Sequence, residues 1–148
     1  MYEFIHYQAG DVMTLNPVTV RKEMTLAAVE DLFEQHDFNG IPVVDEENKM
    51  IGIMTKLNLL KAFAFTERDK VPDYKSIMNQ NISSFMSRDV ILFSPQTPVS
   101  RVLQKMIETK HKSFPVVKGD HLIGIIARED VLKAVRMAAS GKVPDRMT

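Results

Sequence analysis

The chain has 148 residues, 45% of them apolar, with Lys plus Arg and Asp plus Glu balanced at 19 each. That length carries one ordinary domain or two small intertwined units around a real core, and balanced charge exerts no long-range pull toward nucleic acid or an anionic membrane. The lack of cysteine excludes disulfides, thiolate metal sites and thiol nucleophiles, and no apolar run approaches the ~18 residues a membrane span needs. The start, "MYEFIHYQAG", has neither the basic segment nor the apolar core of a signal peptide, so a cytoplasmic protein without membrane insertion is expected.

In chain order, "PVTV" (17–20) reads as a short strand, followed by a helix from about Thr25 to Asp37. The runs "IPVV" and "MIGIM" flank the polar turn "DEENK", the pattern of an antiparallel hairpin. A helix from about Lys56 to Phe65 follows, and residues 66–83 form a polar connector with a turn at Pro72-Asp73. The same plan then recurs. "VILF" (90–93) is the second opening strand. In the next helix Thr97 is expected to cap and Pro98 to sit in the first turn. Val99, Val102, Leu103, Met106 and Ile107 give that helix one apolar face. "FPVV" and "LIGII" flank "KGDH" as a second hairpin, and a last helix runs from about Arg128 to Ala138.

The recurrence is an internal repeat. A shift of 73 places Met13 on Met86, Val29 on Val102 and Pro42-Val43-Val44 on Pro115-Val116-Val117. Past the shorter second turn the shift is 72, and Ile51-Gly52-Ile53 falls on Ile123-Gly124-Ile125. The expected fold is α+β: two strand–helix–hairpin–helix repeats packed through their sheets about a pseudo-twofold axis, since neither copy is large enough to stand comfortably alone.

Signs of catalysis are missing. There is no Gly-rich phosphate loop and no nucleophile beside an identifiable base, and His6, His36, His111 and His121 show no metal-ligand spacing. Neither an enzyme nor a metal site is expected. Most of the ten methionines read as core filling. Taken singly, Thr55 is a helix cap and Asp130 an acid that complements a helix N-terminus.

Three pairs of stretches carry more: "DVMT" and "SFMS", "NGIPVVD" and "KSFPVVK", "GIMTKLNLL" and "GIIAREDVL". In this order, doubled, they resemble a stand-alone tandem of cystathionine β-synthase (CBS) domains, a Bateman module, with one repeat over 11–65 and the other over 84–137. The resemblance implies a regulatory fold that binds adenosine-containing ligands of the AMP, ADP and ATP class in two clefts between the repeats and signals to a partner protein. It implies no obligatory cofactor, and a homodimer formed through helix faces such as "LLKAFAF" and "VLKAVRMAAS". An S-adenosylmethionine sensor and a ligand-free dimerisation scaffold are the alternatives.

By the same resemblance, one cleft takes Met13, Asn16, Pro17, Val18, Phe38, Asn39, Gly40, Ile125, Ile126, Ala127, Arg128 and Asp130. A weaker one takes Met86, Val90, Ile91, Lys112, Ser113, Ile53, Met54, Thr55 and Asn58, with Asp89 adding negative charge beside it. The family pattern Gly-h-h-Ser/Thr-x-x-Asp is incomplete in both repeats. Asp130 keeps the ribose-binding acid where Ala127 lacks the hydroxyl, whereas Thr55 keeps the hydroxyl where Asn58 lacks the charge. The Asp130 cleft is therefore expected to be the better ribose site, with Arg128 and Lys112 the cations best placed for phosphate.

Overall fold

The structure, a computed structural model, describes residues 4–65 and 73–147. The chain forms two compact units, one from Met1–Pro17 with Ile91–Thr148 and the other from Val18–Val90. The units therefore do not follow the order of the sequence repeats: the segment that opens each repeat is built into the unit holding the other repeat's hairpin.

The unit of Val18–Val90 contains α2 (Leu26–Gln35), the hairpin β2 (Gly40–Val44) and β3 (Met50–Thr55), α3 (Lys56–Lys61) and α4 (Tyr74–Met78). Thr25 caps α2 by accepting a hydrogen bond from the Ala28 N–H at 3.2 Å. Leu26, Val29 and Phe33 recur on one face of α2 and are buried against Ile41, Val43 and Met54 of the hairpin. Helix α4 lies within the segment expected to be a polar connector. Asp73 caps it by accepting from the Ser76 N–H at 2.7 Å, and Ile77 and Met78 enter the core. Two adjacent apolar residues in a polar stretch are too short a pattern to announce a helix. The expected turn at Pro72-Asp73 includes a residue outside the described ones.

The other unit contains α1 (Ala9–Val12), β1 (Thr14–Leu15), α5 (Val99–Thr109), the hairpin β4 (Ser113–Lys118) and β5 (His121–Ala127), and α6 (Arg128–Ala139). Its core joins Tyr7, Val99, Val102, Phe114, Val116, Ile126 and Ala134. On α5, Val99, Val102 and Met106 are buried as the periodicity predicts, but Ile107 is 69% exposed. Thr97 does not cap α5. Pro98 holds the cap position, and the Thr97 hydroxyl accepts from the Ser94 N–H at 3.1 Å instead.

Both predicted hairpins form, with a register irregularity between Val43 and Val44 in one and between Val116 and Val117 in the other. The two opening strands do not. "PVTV" contributes only a parallel bridge from Val20 to Val43, and "VILF" only one from Phe93 to Val116. One residue in each segment carries the whole contact: Val20 donates to Pro42 O at 3.0 Å and accepts from the Val44 N–H at 3.0 Å. Phe93 makes the equivalent pair with Pro115 and Val117.

The pairing strand comes from elsewhere, from the end of "DVMT" and "SFMS". Thr14 pairs with Ile125 in an antiparallel register, and Ser87 exchanges both backbone hydrogen bonds with Ile53 at 2.9 Å. Because Ile53 directs its polar backbone groups to Ser87, the facing Pro42 lies opposite a position that asks nothing of its missing N–H. Pro115 faces Ile125 in the same way. The glycine of each Ile-Gly-Ile is set by the same approach. A Cβ on Gly124 would lie 2.8 Å from Thr14 O and 2.8 Å from Met13 Sδ, and one on Gly52 would lie 2.8 Å from Ser87 O.

A clasp closes the unit that holds α6. The Arg146 guanidinium donates to Asp11 Oδ1 at 2.7 Å and to the His6 carbonyl at 2.6 Å. The Tyr7 hydroxyl donates to the Lys142 carbonyl. The Asp11 side chain is only 6% exposed, and its carboxylate also accepts from the Gln8 N–H at 2.7 Å. Arg146→Ala is expected to destabilise the protein by about 1.5–3 kcal/mol, the size of a charge-assisted hydrogen bond. Urea denaturation checks this, and pairing the change with Asp11→Asn should give less than the sum of the two single effects.

Candidate functional site

The sequence-predicted residues fall into two sets by unit. Met13, Asn16, Pro17, Ile91, Lys112, Ser113, Ile125, Ile126, Ala127, Arg128 and Asp130 belong to the unit that holds α6. Val18, Phe38, Asn39, Gly40, Ile53, Met54, Thr55, Asn58, Met86 and Val90 belong to the unit that holds α3. Strand alternation decides which side chains face outward. Ile125 and Ala127 are half-buried, whereas the side chain of Ile126 between them is fully buried in the core. Met54 is likewise fully buried between the half-buried Ile53 and Thr55, and Met86 is a core residue at 7% exposure. Asn16 is exposed with φ 52°, a left-handed conformation that Asn tolerates better than most residues. Phe38 stacks on His36 with ring centroids 4.7 Å apart.

Asp130 stands in the first turn of the twelve-residue α6. Its Oδ2 accepts from the Ala127 N–H at 2.8 Å, and its Oδ1 faces the Thr14 hydroxyl at 3.4 Å. An ionised carboxylate offers about four acceptor positions, and the long Thr14 contact is at the weak limit. Asp130 therefore keeps acceptor capacity at a helix start whose free N–H groups favour anions. Burial holds its carboxyl above the usual carboxylate range, partly offset by the Ala127 N–H and the Thr14 hydroxyl.

A carboxyl raised in this way binds protons more readily in the folded than in the unfolded chain. Its stabilising contribution is complete below the unfolded Asp value of about 3.9 and is lost as pH rises through the raised folded value. Asp130→Asn should flatten that part of the stability profile and make the ligand-free protein slightly more stable at neutral pH. Thermal melts of both proteins from acid to neutral pH test this. Because the group is half-exposed, the difference at neutral pH should stay small.

Arg128 is two residues from Asp130 and so lies on a different side of α6. Its guanidinium donates to the Lys110 carbonyl at 3.0 Å, and its side chain lines an apolar groove of about 490 Å³ between α5 and α6, with Leu103, Met106, Ile107, Val131, Leu132 and Val135. Lys112 is exposed, and its carbonyl accepts from the Arg128 N–H at 3.1 Å.

Asn58, the counterpart of Asp130, is 4% exposed. Its Oδ1 accepts from both the N–H and the hydroxyl of Thr55, each at 2.8 Å, and its Nδ2 donates to Ser87 Oγ at 3.1 Å. Thr14 and Ser87 were absent from the sequence-derived site. The signal that would have found them is a hydroxyl closing both "DVMT" and "SFMS", at positions related by the repeat shift.

Among the described residues no helix is long and apolar enough to cross a membrane. Comparison with known proteins agrees with the doubled pattern. A family model described as the CBS domain matches residues 9–65 and 82–137. The chain is 26% identical over 129 residues to the protein MJ1225 of Methanocaldococcus jannaschii, covering 87% of this chain and 43% of that one. It is 27% identical over 122 residues to the L-aspartate semialdehyde sulfurtransferase of the same organism, covering 82% and 22%. It thus spans less than half the length of these relatives.

Among solved structures, a proposed acetoin utilization protein (AcuB) from Vibrio cholerae aligns with a TM-score of 0.77 at 27% identity, over 93% of this chain and 98% of that one. The CBS domain pair of protein MJ0100, in complex with 5'-methylthioadenosine and S-adenosyl-L-methionine, aligns with a TM-score of 0.69 at 26% identity, over 91% and 98%. With two matched copies spanning most of its length, the chain belongs to the CBS domain family and is built as a pair of CBS domains.

Proposed function

We propose that the protein is a regulatory module that binds an adenosine-containing small molecule and passes its occupancy to a partner protein. The observation that carries this reading is Asp130: a half-buried carboxylate with acceptor positions to spare, at the start of a three-turn helix, where the family pattern has its ribose-binding acid. Two vicinal ribose hydroxyls are donors that match a carboxylate, and the charge strengthens both bonds. Met13, Asn16, Pro17, Ile125 and Ala127 are the neighbours on the same unit that would meet the nucleoside.

The ligand class is supported by the MJ0100 pair, which holds 5'-methylthioadenosine and S-adenosyl-L-methionine. Ligands of the AMP, ADP and ATP class share the same ribose. With Arg128 engaged by Lys110 and placed along the α5–α6 groove, phosphate recognition rests on α6 backbone N–H groups and Lys112 more than on Arg128. A bound ligand shifts the module between conformations only by its difference in affinity for them.

The test is a thermal-shift series with AMP, ATP, S-adenosylmethionine and 5'-methylthioadenosine. A ligand present at 100 times its Kd should stabilise the native state by about 2.7 kcal/mol, and no shift with any of the four would defeat the reading. Binding should also weaken as pH falls, beginning above the usual carboxylate range, because protonation removes the charge on Asp130.

The same module is proposed to pair with a second copy. Ile107 and Leu132, at 69% and 54% exposure, flank the α5–α6 groove and leave an apolar strip that a twofold partner would cover. Light scattering at tens of micromolar should give the mass of a dimer, and a monomer mass would reject the pairing.

A further inference from the structure

The two helix starts that the repeat makes equivalent are chemically unequal. At Asn58 both lone pairs of the side-chain oxygen are engaged by Thr55, at 2.8 Å and 2.8 Å, and the amide nitrogen is tied to Ser87 Oγ at 3.1 Å. Ser87 is in turn fixed through its backbone to Ile53. Asn58 is also buried, at 4% exposure. A ribose hydroxyl reaching its oxygen would have to displace a bond already made, and it would meet an uncharged acceptor. Helix α3 has six residues against twelve in α6 and supports an anion less well. At Asp130 the corresponding hydroxyl, Thr14, stands off at 3.4 Å, and the carboxylate keeps free acceptor positions.

We propose that the chain binds a single adenosine ligand, through Asp130, and that Asn58 closes the equivalent position by pinning Ser87 to the start of α3. The proposal rests on the ligand reading above for its count of one, but not for the pin. The change from Asp to Asn thus converts a ligand acceptor into a structural link between the entering segment and the hairpin, and it makes Asn58 a determinant of where ligand binds.

Calorimetric titration with AMP and with 5'-methylthioadenosine, together with thermal denaturation, separates the two parts. Wild type should give one site per chain for whichever ligand binds. Asn58→Ala should leave that affinity within about twofold and lower the Tm by roughly 2–8 °C, the range expected for losing a buried hydrogen-bond partner. Ser87→Ala removes only one bond of the link and provides the milder variant if Asn58→Ala does not fold. The double variant should lose less than the sum of the two.

Two sites in the wild type, or a loss of affinity in Asn58→Ala or Ser87→Ala, would overturn the closure. An unchanged Tm in both variants would overturn the pin. A wild type that takes up neither ligand defeats the ligand reading and the count of one with it, while the melting temperatures still decide the role of Asn58.

Discussion

Asp130→Ala is expected to lower affinity for an adenosine ligand roughly 10- to 150-fold. Charge-assisted hydrogen bonds contribute about 1.5–3 kcal/mol, and each ~1.4 kcal/mol is a factor of ten in Kd. The loss should be of similar size for AMP and for 5'-methylthioadenosine, because the ribose is the part they share. A 2'-deoxy analogue should bind wild type more weakly and lose less affinity in the variant than the full ribose does, since only the 3'-hydroxyl bond is left for Asp130→Ala to remove. The fold should survive: Asp130 contributes a bond to the Ala127 N–H, and its removal also relieves the burial that raises its carboxyl. If Asp130→Ala binds as tightly as wild type, the residue is only a helix-start acid and the ribose assignment is wrong.

Gly124→Ala should have the largest effect on stability of any single-methyl addition at a described glycine. The new Cβ would stand 2.8 Å from Thr14 O and 2.8 Å from Met13 Sδ. Thioether atoms can swing away, but Thr14 O belongs to the backbone of β1, which is paired to β5 at Thr14–Ile125 and Leu15–Gly124. Relief therefore means shifting the strand. Overpacking of this kind costs about 1–3 kcal/mol, and a backbone collision belongs at the upper end. For a chain of this size that corresponds to a Tm lower by roughly 6–12 °C. Gly119→Ala serves as the contrast. Nothing lies within 4 Å of its Cβ, and its penalty comes only from φ 66° in the turn between β4 and β5. A Gly124→Ala protein that melts with wild type would show that β1 is not held against β5 as described.

Beyond the expected binding loss, the same strand explains why the two helix starts diverge. In each unit the entering segment brings a hydroxyl, Thr14 or Ser87, to the side chain three residues past the end of the second hairpin strand. With an amide at that position every acceptor finds a local partner. With a carboxylate some acceptor positions remain open. One difference within a duplicated frame is enough to separate a fully bonded side chain from one that keeps acceptor positions open.

The sequence alone determined the doubled plan, both hairpins, the helices that follow them and the placing of an acid at Asp130 against an amide at Asn58. These features depend on local patterns: alternation and apolar runs around a polar turn, a repeat spacing, and a charged residue against a neutral one. Only the tertiary structure decided which chain segments share a unit. The segments expected as strands, 17–20 and 90–93, supply one bridging residue each, and the pairing instead falls to Thr14 and Ser87. The physical reason is that a two-residue strand has no periodicity of its own. Its pairing is set by the partner's unsatisfied backbone groups at Ile53 and Ile125, and by glycines that leave room for it. The same holds for Arg128. Its charge was legible in the chain, but the turn of α6 that carries it to the Lys110 carbonyl was fixed by how α5 and α6 pack.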